Sequence, residues 1–456
     1  MKDFTKGNEF QHIYKFAIPL VLGLIIQQLY SVVDSIIVGK FLENGEQGLA
    51  AIGAAFPVIF FLISFVVGIS NGGTIIISHF FGNKNYKGIR DAIETNNIFL
   101  FVCAVIVSTI GISLAEPIFI FINLPAEVIP QAVTYMQIYS VGFVGMFGYH
   151  GVSAILRGVG DSKTPLYVLI IASVLNVLLD LLFIVVLKTG IAGVAWATVI
   201  AQTSTFIGVV YYLNRTHPLI KYTFGLRFDT KIFKESVRIG LPSGFQQSFV
   251  GLGNVALMSI VSRFGTVVVA AYSVTSRIDM LCGVPAIALA SAFSGFVGQN
   301  LGARKIKRVE RGYKFTVLLG VSISLIITTF LLLFRTEVMS IFTNEQNILP
   351  YGAQYLSIVS PFYVVFTILF ISNAALRGAG DTLIPMFVTL FALWIIRVPA
   401  AHFLSQHYGE AGIWWGIPMG WIIGMTFSTI YFFTGKWKQK RVGGARAQKD
   451  EVVLVD

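Results

Sequence analysis

The feature that most constrains this chain is a series of long apolar stretches separated by short polar loops. Each stretch reaches the length of about 20 residues at which an α-helix can cross a lipid bilayer. In lipid, only helices and closed barrels satisfy all backbone hydrogen bonds, and these stretches are too long for barrel strands. The sequence therefore predicts an all-α integral membrane protein with twelve spans, at roughly 14–38, 50–78, 92–114, 130–155, 165–187, 191–213, 238–262, 268–298, 314–334, 348–373, 384–404 and 409–434.

The net charge of +11 is unevenly distributed between the two sides of the predicted spans. One set of loops and both ends of the chain hold most of the lysines and arginines. The opposite loops hold only Lys40, Lys188, Arg263 and Arg335. By the positive-inside rule, both termini are expected in the cytoplasm, and the basic charge indicates topology rather than a nucleic-acid partner. The first apolar stretch is too long for a cleavable signal peptide, so we expect it to be a true span.

One ten-residue segment occurs twice. Residues 156–165 read LRGVGDSKTP and residues 376–385 read LRGAGDTLIP, so six of ten positions match at an offset of 220 residues. Both copies fall between the fourth and fifth spans of a half. The glycines permit a tight turn, the aspartate can cap the next helix, and the arginine is expected to anchor the cytoplasmic face.

The repeat extends outward from this turn. GIAGVAWATV near residue 190 aligns with GEAGIWWGIP near 409, and FFGNKNYKGI near 80 aligns with NLGARKIKRV near 300. Six spans per half give both halves the same orientation, as in parallel repeats that form two lobes around a central cleft. We expect an N-terminal lobe at 1–213, a cytoplasmic linker at 214–237, a C-terminal lobe at 238–435 and a disordered cytoplasmic tail at 436–456.

With these motifs in place, the chain resembles the multidrug and toxic compound extrusion (MATE) transporters over about residues 10–435. The paired LRGxGD turns, VDSIIVGK at the end of span one, GIAGVAWATVIAQ in span six and VGQNLGARK after span eight support the resemblance together. It implies secondary active efflux from the cytoplasmic membrane of a bacterium. It implies no enzymatic activity, no cofactor and no obligate protein partner.

Two carboxylates lie within the spans of the first half, where a charge is costly and indicates function. Asp34 is in span one and Asp180 in span five, and Asn176 lies one turn from Asp180. Thr198 in span six lies at a similar depth. Their oxygens are suitable ligands for a proton or Na⁺. In one MATE subgroup, the resemblance implies that these four positions hold the coupling ion. The alternative is a polar network that only fixes lobe packing.

The second half lacks this acidic group. The equivalent positions are Leu257, Ile396, Ala400 and Ile417. Another MATE subgroup has its coupling acid in span seven, where this chain has Gln246 and Gln247. We therefore expect the coupling ion to bind in the first lobe only.

The second lobe has other charges within its spans. Arg277 and Asp279 lie in span eight and Arg397 in span eleven. Asp279 and Arg397 fall near the same depth, and we predict that they form an ion pair, while Arg277 points to a different face. A role in transport is the alternative.

Aromatic and amide residues at helical spacing are expected to line the cleft. Such groups suit amphipathic, often cationic, organic substrates through stacking and cation–π contacts. An aromatic stripe that only packs helices together is the alternative. The candidates are Gln27, Tyr30, Tyr135, Tyr139, Met146, Tyr149, Ser153 and Gln202.

The sequence thus predicts multidrug efflux by antiport with H⁺ or Na⁺, with small organic molecules and the lipid bilayer as partners, no nucleic acid, and no obligate protein partner evident. The alternative function is a related flippase for a lipid-linked saccharide. A membrane enzyme would need a converging catalytic set, which is not found in the sequence.

Overall fold

The computed structural model describes residues 2–42, 45–216, 221–222, 225, 227–343, 345–440 and 442. Its described part contains helices, turns and connecting segments, and no β-strand. The first half contains α1 (Glu9–Phe41), α2 (Gly45–Gly82), α3 (Tyr86–Ser113), α4 (Ala115–Phe121), α5 (Ile129–Val141), α6 (Phe143–Gly158), α7 (Lys163–Asp180), a π-helical stretch (Leu181–Val186) and α8 (Ile191–Thr216).

The second half repeats this order. It contains α9 (Thr230–Val261), α10 (Thr266–Gly302), α11 (Ile306–Leu333), α12 (Arg335–Phe342), α13 (Leu349–Val359), α14 (Tyr363–Gly378), α15 (Leu383–Leu390), a π-helical stretch (Phe391–Arg397), α16 (Val398–Tyr408) and α17 (Glu410–Phe433). Short 3₁₀ turns lie at Ser262–Phe264, Ser360–Phe362 and Lys436–Gln439.

Helices occupy all twelve predicted spans, but not all are equally apolar. Within the described residues, ten helices are long and apolar enough to cross a membrane, or eleven when α5 and α6 count as one span bent by 48°. The helix outside this count is α9, whose 32 residues include buried glycines and serines as well as two glutamines that are not buried. This protein is therefore a multi-pass membrane protein whose seventh span is less apolar than the others.

The duplicated LRGxGD segment forms the same turn in both halves. Gly160 and Gly380 adopt φ values of 80° and 81°, a conformation that glycine reaches without steric cost. Asp161 accepts hydrogen bonds from the backbone N–H groups of Lys163 and Thr164, each at 3.1 Å, and so caps α7 as expected. We call the end of the molecule that holds these turns, Lys2 and Val442 the terminal face, and the opposite end the distal face.

The two halves meet closely near the terminal face through α2 and α9. A Cβ atom added at Gly68 would lie 2.4 Å from the backbone nitrogen of Gly244, and one added at Gly240 would lie 2.4 Å from Cα of Ile69. Gly68 and Gly72 on α2, and Gly240 and Gly244 on α9, have the four-residue spacing of small-residue membrane interfaces. This spacing lets the two backbones touch, so the two halves close against each other at this end of the molecule.

An N-terminal strap, residues 2–8, runs across this closed end. Its first residue, Lys2, donates a backbone hydrogen bond to the carbonyl of Val159 in the first half at 3.1 Å. The backbone N–H of Phe4 donates to Oε1 of Gln299 on α10 at 2.9 Å. Because Gln299 also donates to the carbonyl of Gly158 at 3.1 Å, the strap and one glutamine join the two halves.

The strap is also held from α11. The guanidinium of Arg308 donates to the backbone carbonyls of Phe4, Lys6 and Gly7 at 3.0, 3.3 and 3.0 Å. The Phe4 ring is 1% exposed and packs edge-on against Phe16 with centroids 5.2 Å apart. The strap is therefore an ordered part of the inter-lobe contact.

The segment after α17 differs from the predicted disordered tail where the structure describes it. Lys436–Gln439 forms a 3₁₀ turn, and the Trp437 ring is fully buried against Phe432 at a centroid distance of 5.1 Å. Val442 is also buried and contacts Gly380. Residue 441 and residues 443–456 lie outside the described part, so the prediction for them is not addressed.

Trp437→Ala is expected to destabilise the protein, because it removes a fully buried ring and the hydrogen bond from its Nε1 to the carbonyl of Phe432 at 2.7 Å. Such truncations cost about 3–5 kcal/mol in soluble cores. Thermal unfolding of the purified protein should show a lower Tm, whereas Trp415→Ala, at a ring that is 45% exposed, should change it little. An equal Tm for both variants would contradict this assignment.

Candidate functional site

The predicted ion-site residues come together inside the first lobe, on α1, α7 and α8. With its amide nitrogen turned to Asp180, the orientation that pairs both ends of the amide, Asn176 donates to Asp180 Oδ2 at 2.7 Å. In the same orientation it accepts from the backbone N–H of Thr198 at 3.1 Å. The Asp34 carboxyl lies within hydrogen-bonding reach of Asp180. We call Asp34, Asn176, Asp180 and Thr198 the acid pocket.

The acid pocket is short of hydrogen-bond donors, and three of its four residues are shielded from solvent, whereas Asp34 is half-buried. Asp180 is 0% exposed and Asn176 is 2% exposed. One oxygen of each acid, Oδ1 of Asp34 and Oδ1 of Asp180, is buried with no hydrogen-bond donor among the described residues. Two buried carboxylates that face each other repel, and their unpaired oxygens are costly to bury. The pocket therefore needs either a proton on one of the acids or a metal cation between them.

A π-helical stretch begins directly after Asp180. In the second lobe another π-helical stretch ends at Arg397. Such stretches break the regular α-helical hydrogen bonding and are frequent at functional sites. Each of them adjoins an ionisable residue within a span, a regularity that the apolar sequence pattern did not reveal.

The equivalent place in the second lobe is filled with apolar side chains. Leu257 and Ile417 are 0% and 1% exposed and belong to an apolar cluster with Trp414. The acid pocket is therefore a property of one repeat.

A separate cavity of about 980 Å³ lies between the two lobes. It reaches from the two LRGxGD turns near the terminal face, at Arg157 and Arg377, to Met258 and Tyr272 near the distal ends of α9 and α10. The contacts of α2 with α9 and the N-terminal strap close its terminal end.

Only part of the predicted cleft lining faces this cavity. Gln27 and Tyr149 line it. The other six residues do not line it, and their part in binding cargo stays a prediction: Tyr30, Tyr135, Tyr139, Met146, Ser153 and Gln202.

These six side chains face the interior of the first lobe instead. Tyr135 is 6% exposed and packs with Tyr139 and Met146 in an apolar cluster. Tyr139 lies within hydrogen-bonding reach of Gln202, and Ser153 is buried. The Tyr30 hydroxyl lies within reach of Thr198, so this residue borders the acid pocket.

The predicted ion pair between Asp279 and Arg397 is not formed. Asp279 accepts hydrogen bonds from the hydroxyl groups of Tyr355 and Tyr363, and Nε of Arg397 is buried without a partner among the described residues. Both charged side chains line the cavity, so they sit where a bound molecule would contact them. Arg277 is exposed on another face of α10, as expected from its spacing.

Several cavity residues were missed by the analysis of the sequence. Arg157 and Arg377 line the cavity, although they were expected to anchor the cytoplasmic face. Gln246 also lines it and donates to Thr389 Oγ1 at 2.6 Å. The duplication could have indicated a shared role for the two arginines, because they occupy equivalent positions in the two copies of the repeated turn.

Among the described residues no group of three or more His, Cys, Asp or Glu side chains could hold a metal ion. Two six-helix repeats facing each other across a cavity define a polytopic membrane transporter rather than an enzyme. The MatE family model matches residues 19–182 and 242–403, and this chain belongs to the MATE family of multidrug efflux transporters.

Similar proteins support this assignment along the whole chain. The "Probable multidrug resistance protein YpnP" of Bacillus subtilis is 30% identical over 440 residues, with 96% of this chain and 98% of that protein covered. "Probable multidrug resistance protein YoeA" of the same organism is 31% identical over 453 residues, with 96% of each chain covered. A crystal structure of a MATE transporter in complex with MaL6 superposes with a TM-score of 0.88 at 25% identity, with 95% of this chain and 97% of that chain covered. These similarities favour multidrug efflux over the alternative of a lipid-linked saccharide flippase.

Proposed function

We propose that this transporter exports amphipathic organic molecules in exchange for a cation, H⁺ or Na⁺, that binds in the acid pocket. The observation that carries the proposal is the pair of buried carboxyl oxygens, Asp34 Oδ1 and Asp180 Oδ1, without a donor. A proton or Na⁺ would supply the missing positive charge, and Asn176 and Thr198 would complete the set of oxygen ligands.

The structure-only alternative is weaker because the second lobe packs without such acids. The equivalent residues Leu257 and Ile417 are buried in an apolar cluster of the same fold. A lobe of this kind therefore needs no carboxyl pair to pack. Retaining two intramembrane acids in one repeat is costly, and a role in ion binding accounts for that cost.

Helix α1 connects the ion to the cargo. It carries Asp34 in the acid pocket, and its residues Pro19 and Gln27 line the cavity. The proline removes a backbone hydrogen bond and makes the helix easier to bend. Cation occupancy would favour one shape of α1, and the shape of α1 would set the affinity of the cavity. A transporter needs such a difference in affinity between its states.

The unequal distribution of basic residues supports a cytoplasmic location for the terminal face, in a bacterial cytoplasmic membrane. The closed terminal end would then separate the cavity from the cytoplasm. Export would follow when the cavity communicates with the distal, external side. Return would require the contact between α2 and α9 to open.

The test is transport in proteoliposomes driven by a pH gradient alone and then by a Na⁺ gradient alone. Two dyes with one xanthene framework and opposite charge, fluorescein and tetramethylrhodamine methyl ester, serve as cargo. We expect Asp34→Asn and Asp180→Asn to lower the gradient-driven rate by at least about tenfold, since each removes one of the facing carboxyls. The gradient that drives the wild type identifies the ion.

Glu116→Gln is the matched control, because it neutralises an exposed acid in the first turn of α4 in the same lobe. It should transport like the wild type. Size-exclusion profiles must show that all variants are folded. Wild-type rates in both folded Asp→Asn variants would refute ion coupling through this pocket.

A further inference from the structure

The charged side chains that line the inter-lobe cavity are mostly cationic. Arg157, Arg377 and Arg397 face it, together with a single acid, Asp279. The two acids of the first lobe, Asp34 and Asp180, do not line it. The cavity surface is therefore electropositive, although the sequence suggested cationic substrates.

The one cavity acid is already engaged. Both oxygens of Asp279 accept hydrogen bonds, from Tyr355 and Tyr363, and the nearby charge of Arg397 acts on it as well. A cationic ligand at Asp279 would have to displace the two tyrosine hydroxyl groups from the carboxylate. The cavity thus lacks an unengaged acid for a cationic cargo among the described residues.

Arg157 and Arg377 are in the opposite situation. Neither guanidinium forms a hydrogen bond or an ion pair with a described residue, whereas Arg308 and Arg311 near the terminal face pair with Glu9 at 3.3 and 2.7 Å. The aspartates of the two LRGxGD turns bind other groups. Asp161 caps α7, and Asp381 accepts from Tyr431 at 2.8 Å.

The two arginines are related by the repeat. Each is the penultimate residue of its helix, α6 or α14, and each enters the cavity from a different lobe near the closed terminal end. A planar guanidinium presents several donors that match the oxygens of a carboxylate, sulfonate or phosphate group. The cavity therefore presents one such guanidinium from each lobe.

The apolar part of such a ligand also finds partners. Phe366 packs against Phe370 and Trp421 with ring centroids 4.2 and 5.0 Å apart, and all three line the cavity. Tyr149 lines it from the first lobe. These rings offer stacking surfaces for an aromatic body.

We propose that the cavity selects organic anions with an aromatic body, whose acidic group binds Arg157 and Arg377. This inference rests on the proposed function, since it names the class of molecule that the transporter exports. The purely structural alternative is that each arginine only stabilises the end of its helix through the helix dipole.

The test measures equilibrium binding to purified protein without any gradient, so it is independent of ion coupling. Fluorescence polarisation is recorded with fluorescein, a dianion at mildly alkaline pH, and with tetramethylrhodamine methyl ester, a cation of similar shape. We expect the wild type to bind fluorescein at least about tenfold more tightly, because its charge meets unpaired arginines.

The variants assign the preference to the arginines. Arg157→Gln and Arg377→Gln should each weaken fluorescein binding by at least about tenfold, as for loss of a charge-assisted hydrogen bond, and should leave the cationic dye unchanged or better bound. Arg157→Lys and Arg377→Lys keep the charge and should retain most of the preference, which also guards against misfolding of the Gln variants. Arg263→Gln, at an exposed arginine outside the cavity, should behave like the wild type.

Equal or tighter binding of the cation by the wild type, or no binding of either dye, would overturn the proposal. So would Gln variants that lose thermal stability while keeping the fluorescein preference, since that outcome assigns the arginines to helix ends. If the dye preference holds while Asp34→Asn and Asp180→Asn transport normally, the substrate class stands and ion coupling fails.

Discussion

Gly68→Ala is expected to reduce transport at least about fivefold and to separate α2 from α9 at the closed end. The added Cβ would lie 2.4 Å from the nitrogen and 2.6 Å from the Cα atom of Gly244. Both are backbone atoms, so no side chain can rotate away and the helices must move. Overpacking of this kind costs about 1–3 kcal/mol, which changes the population of the closed arrangement by roughly five- to 150-fold.

Transport is measured in proteoliposomes, and helix separation with a reporter cysteine. Ser236→Cys, in a chain with Cys103 and Cys282 replaced by alanine, lies at the α2–α9 contact and is 1% exposed in its native form. Maleimide should label it slowly in the reporter background and faster when Gly68→Ala is added.

Gly53→Ala is the matched control on the same helix, because a Cβ at this position meets no atom within 4 Å. It should leave both labelling and transport unchanged. Slow labelling together with normal transport in Gly68→Ala would contradict the idea that this contact closes the terminal end.

Phe4→Ala is expected to destabilise the protein and to weaken the inter-lobe contact. The ring is 1% exposed and sits between Phe16 of α1 and Phe296 of α10, at centroid distances of 5.2 and 6.2 Å. Removing a buried phenylalanine costs about 3–5 kcal/mol in soluble cores. Because the strap joins both lobes, the lost packing should favour opening as well as unfolding.

Thermal unfolding and labelling of the same Ser236→Cys reporter test this prediction. Phe10→Ala provides the control, since that ring is 40% exposed on the first turn of α1. We expect a clearly lower Tm and faster labelling for Phe4→Ala only. If both variants have the same Tm and the same labelling rate, the strap does not contribute to the contact between the lobes.

The architecture could be predicted because it follows from length, polarity and duplication. Apolar stretches of membrane-spanning length, basic loops on one side and the repeated turn at 156–165 and 376–385 were sufficient. The acid pocket could be anticipated for a similar reason. Asp34 and Asp180 are rare charges in apolar stretches, and their depth follows from the helical rise.

The cavity lining could not be predicted with the same success, because it depends on how each helix is rotated about its axis. A span that is apolar on all sides gives no periodic signal for that rotation. Between α5 and α6 the fourth span bends by 48°, and its tyrosines divide between the lobe interior, at Tyr135, and the cavity, at Tyr149. Helical spacing alone had placed both residues on the cleft.

Which charged side chains pair depends on the distance between them, and the depth of each residue in the membrane does not determine that distance. Asp279 and Arg397 lie near the same level, as predicted, but two tyrosine hydroxyl groups occupy the carboxylate. Those tyrosines come from α13 and α14, and nothing in the sequence linked them to α10. The ordered turn at Trp437 was missed because a short basic segment resembles a solvated tail unless its single buried ring is noticed.

The acid pocket is enclosed within one lobe, while the cavity is built from both. Substitutions at Arg157, Phe366 or Trp421 would alter the cavity wall without touching Asp34 or Asp180. Under the proposed cation exchange, this separation means that substitutions in the cavity wall would change the range of exported compounds and leave the energy source unchanged. Under the same proposal, an inhibitor bound in the acid pocket would block the export of every compound at once, whereas one bound in the cavity would compete with some compounds and spare others.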